Sequence, residues 1–476
     1  MLLGFIIVYL LSTLAIGWWA SRRVKTTRDF VIAGRNLPLL LAGSALFATW
    51  FGSETIMGAP SEFVEHGLIG VVEDPFGAAL CLILVGVFFA RPLYRMNILT
   101  FNDFFRLRFS KVTELVTSIL IVPSYFGWIA AQLVAMAIVL NAVAGVSVVA
   151  GIAICTLVVL FYTYIGGMWA VSITDFVQTF MILGGLLFLA YELSHELGGV
   201  QTVLSQTPEG FFHFLPEGNF ESILAYFAAW ITIGLGSIPQ QDVFQRVMAA
   251  KNEKVAVRAS YLGGLMYLSI GLIPLFIGLC GKLLYPDFQE GDPQMVIPHM
   301  VLEHGNMFLQ ILFFGALLSA ILSTTSGAIL APATVIGENI IRPRFKHLSD
   351  AQLLRIMRLA VVGVALCSAF MATLKTNIYE LVAQSSTLSL VSLFIPLTMG
   401  LYWRKASDLG AILSIAFGMI AWIIAELTSG IVPPIIVGGL ASLAGMLFGS
   451  WIRPDESYVR YREEVFQSFI YDLILF

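Results

Sequence analysis

The chain has 476 residues, of which 58% are hydrophobic and 12% charged, and its formal net charge is −4. Soluble domains are close to half apolar and a quarter charged, so this composition excludes a soluble protein and indicates an integral membrane protein. The small negative charge does not suggest a nucleic-acid partner. The sequence contains no nucleotide-binding loop, HExxH motif or GxSxG motif, and it therefore does not predict an enzyme.

A helix needs about 20 mainly apolar residues to cross a bilayer. Thirteen such stretches follow one another along the chain. They cover residues 2–20, 38–59, 69–90, 113–143, 147–165, 169–192, 221–245, 256–282, 307–340, 354–374, 378–402, 407–427 and 431–451. We predict an all-helical transmembrane domain over residues 1–452 and a short cytoplasmic tail over residues 453–476.

The positive charges set the predicted orientation. With thirteen spans and the N-terminus outside, the 26 Lys and Arg residues all fall on the inner side, except Lys282 and Lys375. An excess of positive charge on the cytoplasmic side is the general rule for membrane proteins. We therefore expect a multi-pass protein of the cell (inner) membrane with its C-terminus in the cytoplasm.

The second stretch contains polar residues at its centre. Residues Ala45–Pro60 read ALFATWFGSETIMGAP, so Thr49, Gly52, Ser53, Glu54 and Thr55 would lie at membrane depth. A carboxylate at that depth usually faces a water-filled cavity, and backbone that leaves the helix needs partners in protein, water or an ion. This pattern predicts an unwound helix that lines a binding site, as in a transporter.

The seventh stretch repeats this pattern. Residues Tyr226–Arg246 read YFAAWITIGLGSIPQQDVFQR, with an apolar half, a break at Gly234, Gly236 and Pro239, and then polar residues. The two breaks are five helices apart, so the two copies would run in opposite directions. Broken helices at matching positions of two inverted halves point to a transporter site. The halves would be residues 38–192 and 221–402; the alternative is two coincidental kinks.

The ninth stretch carries five hydroxyl side chains in eight residues, from Ser319 to Ser326. Such hydroxyls often bond back to carbonyls of their own helix. Alternatively, together with carbonyls freed by a broken helix, they would bind sodium, a hard cation, weakly enough for it to leave again.

Three segments resemble the sodium:solute symporter family, which has the LeuT-like inverted-repeat fold. They are DFVIAGRNLP (Asp29–Pro38), YTYIGGMWAVSITDFVQ (Tyr162–Gln178) and GALLSAILSTTSG (Gly315–Gly327). FATWFGSETIMG and IPQQDVFQR are similar to the choline-transporter branch and to transporter-like input regions of bacterial sensor kinases. The resemblance covers about residues 1–452.

The resemblance implies a sodium site and no other cofactor. Its ligands would be the backbone carbonyls of Ala48, Phe51 and Ala320 and the hydroxyls of Ser323 and Thr324. The family's aspartate on the fifth core helix falls on Asp175, which would belong to a second ion site or to the sodium exit path. The alternative for Asp175 is a helix-end carboxylate near the cytoplasm.

The sequence departs from the choline branch at its aromatic cage. Trp50 and Trp128 match two cage residues, whereas Gln240 and Ala78 replace two others. Ser326 stands where that branch has an acid. Cation–π binding of a quaternary ammonium uses several ring faces, so the solute expected here is not choline.

The polar and aromatic residues near the two breaks are the candidate solute ligands. One carboxylate, several aromatic faces and several amides would suit a small amine-bearing solute such as an amino acid, whose carboxylate could meet a helix N-terminus. The candidates are Trp50, Glu54, Thr55, Tyr125, Trp128, Gln132, Gln240 and Gln384, with Ser385 and Ser386 as possible additions.

Two kinds of alternative stay open. The aromatic residues could simply pack between helices, Glu54 could have a structural hydrogen-bonding role, and Glu73-Asp74-Pro75 could be a solvated turn or part of a vestibule. At the level of function, the alternatives to sodium-coupled symport are a solute sensor, a sodium-leak channel, and a proton-coupled symporter that uses Glu54 or Asp175. The expected partners are a small solute, Na⁺ and the bilayer; the oligomeric state is not predicted.

Overall fold

The computed structural model describes residues 2–284, 293–345, 347–375, 377–428 and 430–454. Over these residues the secondary structure is helical, and a single isolated bridge pairs Leu37 with Ala250. The predicted tail, residues 453–476, lies outside the described residues except for its first two positions.

The apolar helices follow the predicted stretches closely. In chain order they are α1 (Leu2–Ser21), α2a (Leu39–Trp50), α2b (Glu54–His66), α3 (Leu68–Arg95), α4 (Lys111–Ala144), α5 (Val148–Phe161), α6 (Gly167–Glu196), α7a (Phe220–Gly236), α7b (Gln241–Ala249), α8 (Glu253–Leu284), α9 (Met307–Ile341), α10 (Asp350–Leu374), α11 (Ile378–Tyr402), α12 (Asp408–Thr428) and α13 (Pro434–Ile452). Short helices Thr27–Ile32, Phe101–Arg108, Val200–Ser205 and Val296–His304 lie between them.

When the helices are judged by their length and apolar composition, their number does not reach the thirteen predicted spans. Among the described residues, ten helices are long and apolar enough to cross a bilayer, and the two bent pairs bring the number to twelve. The fifth predicted stretch, residues 147–165, is confirmed as a helix that begins at Val148. It is separated from α6 at Gly167, whose φ of 67° favours glycine.

Both predicted helix breaks are present. The axes of α2a and α2b differ by 56°, and those of α7a and α7b by 48°. The chain leaves the helix at Phe51, with φ −73° and ψ 73°, and at Gln240, with φ −107° and ψ 142°. Glycine and proline at these positions weaken the helix locally, and the polar residues that follow provide partners for the freed backbone groups.

Polar caps fix where several of the long helices begin. The side chains of Asn219, Asn252, Asn306 and Asn377 each accept a hydrogen bond from an N–H in the first turn of α7a, α8, α9 and α11. Ser349 forms a capping box with Gln352 at the start of α10. These caps satisfy donors that a helix end would otherwise leave free.

The centre of the fold is α9, in which every residue from Phe313 to Val335 is buried. A helix that is buried all around its circumference lies inside the bundle. By contrast, only 17% of the residues in the 18-residue apolar segment of α1 are buried, and only 28% of those in the corresponding segment of α12. This difference shows that α1 and α12 lie at the periphery of the bundle. Helix α12 packs mainly along α13.

Candidate transport site

A cavity of about 310 Å³ lies beside the two helix breaks. Its walls come from both broken helices and from α3, α4, α8 and α11. The lining residues are Trp50, Glu54, Asp74, Ala78, Trp128, Ile233, Ser237, Gln240, Tyr267, Val382, Ser385 and Ser386.

The carboxylate of Glu54 is held by three side chains. It accepts hydrogen bonds from Nε1 of Trp128 at 3.0 Å, from Nε2 of Gln132 at 2.7 Å and from Oγ of Ser53 at 3.3 Å. Glu54 is only 2% exposed. Oε1 of Gln132 also accepts the backbone N–H of Ser53 at 3.2 Å. Gln132 therefore fastens the unwound backbone of the first break to α4.

A second carboxylate, that of Asp242, lies at the start of α7b and was not among the predicted site residues. It accepts hydrogen bonds from Nε1 of Trp50 at 3.0 Å and from the hydroxyl of Tyr125 at 2.6 Å. The Tyr125 oxygen accepts the N–H of Asp242 in return, at 3.0 Å. Through these bonds the second break is joined to the first break and to α4. The cluster of polar residues after Pro239 was the only sequence signal for this role.

Asp74 belongs to the cavity wall, which corrects the preferred sequence interpretation of residues 73–75 as a solvated turn. Asp74 is 1% exposed, and its Oδ2 accepts hydrogen bonds from Tyr267 at 2.9 Å and from Thr55 at 3.1 Å. The hydroxyl of Tyr267 also lies 3.0 Å from the carbonyl oxygen of Trp50. Tyr267 is a further residue missed by the sequence, because nothing in the local pattern of α8 places its ring beside α2a.

Gln384, predicted as a solute ligand, is not among the residues that line the cavity. Its side chain is exposed, whereas the next two residues, Ser385 and Ser386, are buried and line the cavity. Successive side chains on a helix are about 100° apart, so one position decides whether a residue faces a cavity. Oγ of Ser385 accepts the N–H of Trp128 at 2.9 Å, and Ser386 bonds Ser237 at 3.0 Å.

The other predicted solute residues fall into two groups. Trp50, Glu54, Trp128 and Gln240 line the cavity. Thr55, Tyr125 and Gln132 are buried behind it, where they position the carboxylates of the wall. The cavity wall also contains Ser237, Ile233 and Val382, which the sequence did not single out.

A second cavity, of about 220 Å³, lies between α2a, α6 and α9. It is lined by Phe47, Ala48, Phe51, Asp175, Gln178, Thr179, Ile182 and Ala320. Three of the five predicted sodium ligands are in this list. Thr324, the fourth, donates its hydroxyl to the carbonyl oxygen of Ala48 at 2.9 Å. Ser323, the fifth, donates its hydroxyl to Asp175 and lies 3.3 Å from the hydroxyl of Thr174.

Asp175 lies within α6 and is 2% exposed, so it is not a solvated helix-end carboxylate. Its Oδ2 and the Oε1 of Gln178 have no hydrogen-bond partner among the described residues. Both belong to residues of the second cavity. These two buried oxygen atoms could therefore accept a hydrogen bond or coordinate a cation at this position.

The hydroxyls of α9 divide between the two roles considered for them. Thr325 and Ser326 bond back to carbonyls of their own helix, at Ile321 and Ser323. Ser319, Ser323 and Thr324 instead reach α6 and α2a. Within the described part of the chain no group of three or more His, Cys, Asp or Glu side chains could hold a metal ion.

Comparison with known proteins agrees with this geometry. The chain is 26% identical over 452 residues to a high-affinity choline transporter of Caenorhabditis elegans, covering 87% of this chain and 76% of the relative. It is 28% identical over 470 residues to the high-affinity proline transporter PutP of Bacillus subtilis, covering 92% and 95%. The solved structure of a Na⁺-coupled sialic acid symporter superimposes with a TM-score of 0.84 at 19% identity, covering 95% of this chain and 98% of the other.

The fold is therefore the LeuT-like arrangement that the family resemblance implied, with transporters as both sequence relatives and structural neighbours. The family model for sodium:solute symporters matches residues 30–418, which include both broken helices and α9. The chain belongs to the sodium:solute symporter family.

Proposed function

We propose that this protein is a sodium-coupled symporter of the cell membrane that imports a small amine-bearing solute by alternating access. The solute would occupy the cavity beside the two breaks, with its amine near Glu54. Sodium would bind at the second cavity, through the carbonyls of Ala48, Phe51 and Ala320 and the hydroxyls of Ser323 and Thr324.

The observation that carries the proposal is the contact between Thr324 and Ala48. It brings a hydroxyl of α9 to a carbonyl in the last turn of α2a, beside a cavity with two unpartnered buried oxygens. A cation bound here would pull α9 and the broken helix together. A ligand shifts a conformational equilibrium only by its differential affinity for the states. Sodium and solute must therefore favour the same arrangement, and the binding of each then raises the affinity of the protein for the other.

The link between the two sites runs through the first break. The residues from Ala48 to Glu54 reach both cavities. Closing the sodium site therefore fixes the backbone that presents Trp50 and Glu54 to the solute. One sodium ion supplies about 2.3 kcal/mol from a 100 mV potential and about 1.4 kcal/mol from a tenfold gradient, enough for roughly five-hundredfold accumulation.

The test is uptake by the purified protein in proteoliposomes. A thermal-shift screen of amines, amino acids, sugars and carboxylates, with and without sodium, would first identify a solute. Its saturable uptake should require an inward sodium gradient and disappear when potassium replaces sodium, and Glu54→Gln should abolish it. Binding without flux would favour a sensor, flux without saturation a channel, and dependence on a pH gradient proton coupling.

A further inference from the structure

The charge of the solute cavity is one-sided. Among the described residues that line it, the charged side chains are Glu54 and Asp74, and no Lys, Arg or His is present. The nearby Asp242 adds a third carboxylate behind Trp50. The buried Arg246 lies one turn beyond Asp242 on α7b, where its Nη1 donates to the Asp242 carbonyl, and it is not among the residues that line the cavity. A carboxylate on the solute would therefore meet negative charge without a counter-ion in the wall.

Three backbone N–H groups at the two breaks are also already in use. Gly52 donates to the carbonyl of Trp50 at 2.8 Å, and Ser53 donates to Gln132. At the second break, Asp242 donates to the hydroxyl of Tyr125. Binding a solute carboxylate at these N–H groups, as first expected for an amino acid, would require breaking bonds that hold the site together. Leaving such buried partners unsatisfied is costly.

One carboxylate oxygen of the cavity wall is available to accept a hydrogen bond from the solute. Oδ1 of Asp74 is buried and has no hydrogen-bond partner among the described residues, whereas Oδ2 of the same carboxylate has Tyr267 and Thr55. A buried, unpartnered carboxylate oxygen is costly, so a donor from the solute would be favoured. The nitrogen of a quaternary ammonium has no N–H group and could not donate to this oxygen.

We infer that the solute is a small organic cation that carries N–H groups and has no carboxylate. Its ammonium would face Asp74 and Glu54, and its carbon skeleton would pack against Trp50, Trp128 and Tyr267. This inference rests on the proposed transport function and narrows it. The predicted class differs both from the amino acids transported by one relative and from the choline transported by another.

Two sets of three matched probes test this directly. In each set one skeleton appears as an amine, with an added carboxylate, and with a fully alkylated nitrogen. The first set is ethanolamine, serine and choline; the second is pyrrolidine, proline and N,N-dimethylpyrrolidinium. Affinity for the full-length protein in lipid nanodiscs at saturating sodium would be measured by calorimetry. In at least one set the amine should bind at least roughly tenfold more tightly than both the carboxylate-bearing compound and the quaternary compound of that set.

The Asp74→Asn variant should weaken binding of the amine at least roughly tenfold. The matched control is Glu65→Gln, which removes an exposed carboxylate outside the cavity and should leave binding unchanged. The probe ranking on the unmodified protein needs no variant, so the inference stays testable if Asp74→Asn does not fold.

Tighter binding of serine, proline or either quaternary ion than of the matching amine would overturn the inference. So would the absence of amine binding up to millimolar concentration in both sets. Sodium-driven uptake is measured separately. If a carboxylate-bearing or quaternary probe is accumulated, the transport proposal holds and the inference fails. If the amine binds but no sodium gradient moves it, the inference holds and the transport proposal fails.

Discussion

The proposed sodium site leads to a quantitative prediction at Thr324. Its hydroxyl is 2% exposed and donates to the carbonyl oxygen of Ala48, a proposed sodium ligand, at 2.9 Å. Thr324→Val keeps the shape of the side chain and removes the oxygen. Hydrogen bonds or contacts of a neutral group with a charge are worth about 1.5–3 kcal/mol. At about 1.4 kcal/mol per factor of ten, the dissociation constant for sodium should rise roughly ten- to hundredfold.

The assay is equilibrium binding of radioactive sodium to the purified protein, which needs no solute. Thr325→Val is the matched control, because the neighbouring hydroxyl is equally buried but bonds back to Ile321 of its own helix. It should leave sodium affinity unchanged, and Thr324→Ser, which keeps a hydroxyl, should restore most of the binding. Equal effects of the two valine variants, or no effect at Thr324, would refute the assignment.

Three further predictions concern the surroundings of the site. In Gly236→Ala the new Cβ would lie 2.4 Å from the carbonyl oxygen of Ser386, so the variant should lose solute binding or folded yield, whereas Gly184→Ala, with open space, should not. Replacing the fully buried Arg246 by Gln removes the guanidinium that donates to the carbonyl oxygen of Asp242, and it should lower the yield of folded protein, seen as a loss of folded material in size-exclusion chromatography. Gln384→Ala should match the unmodified protein in solute affinity, because its side chain is exposed; a clear loss would place it in the site after all.

The membrane location and the helix positions follow from composition alone. A bilayer admits only segments whose backbone is satisfied internally, so each long apolar stretch had to be a helix. The same constraint exposed the two breaks, because a carboxylate and helix-breaking residues inside an apolar stretch require a polar surrounding. For this reason Glu54, Trp50, Trp128 and Gln240 could be placed at the cavity from the sequence.

What the sequence left open is which side chain faces which neighbour. Gln384 and Ser385 differ by one helical step, yet only Ser385 lines the cavity. Asp74 reads as a surface turn beside Pro75, but the ring of Tyr267 from α8 covers it. The partnership of Asp242 with Trp50 and Tyr125 joins three separate helices. Periodicity within one helix carries no information about contacts of this kind.

The sequence by itself determined that this protein crosses the membrane, that two of its helices are broken, and which hydroxyl-bearing helix could meet them, because each of these follows from the cost of polar groups in lipid. Only the tertiary structure decided that the solute cavity is walled by carboxylates without a facing cation, and that the N–H groups of Gly52, Ser53 and Asp242 are already bonded. Those facts depend on packing between helices far apart in the chain.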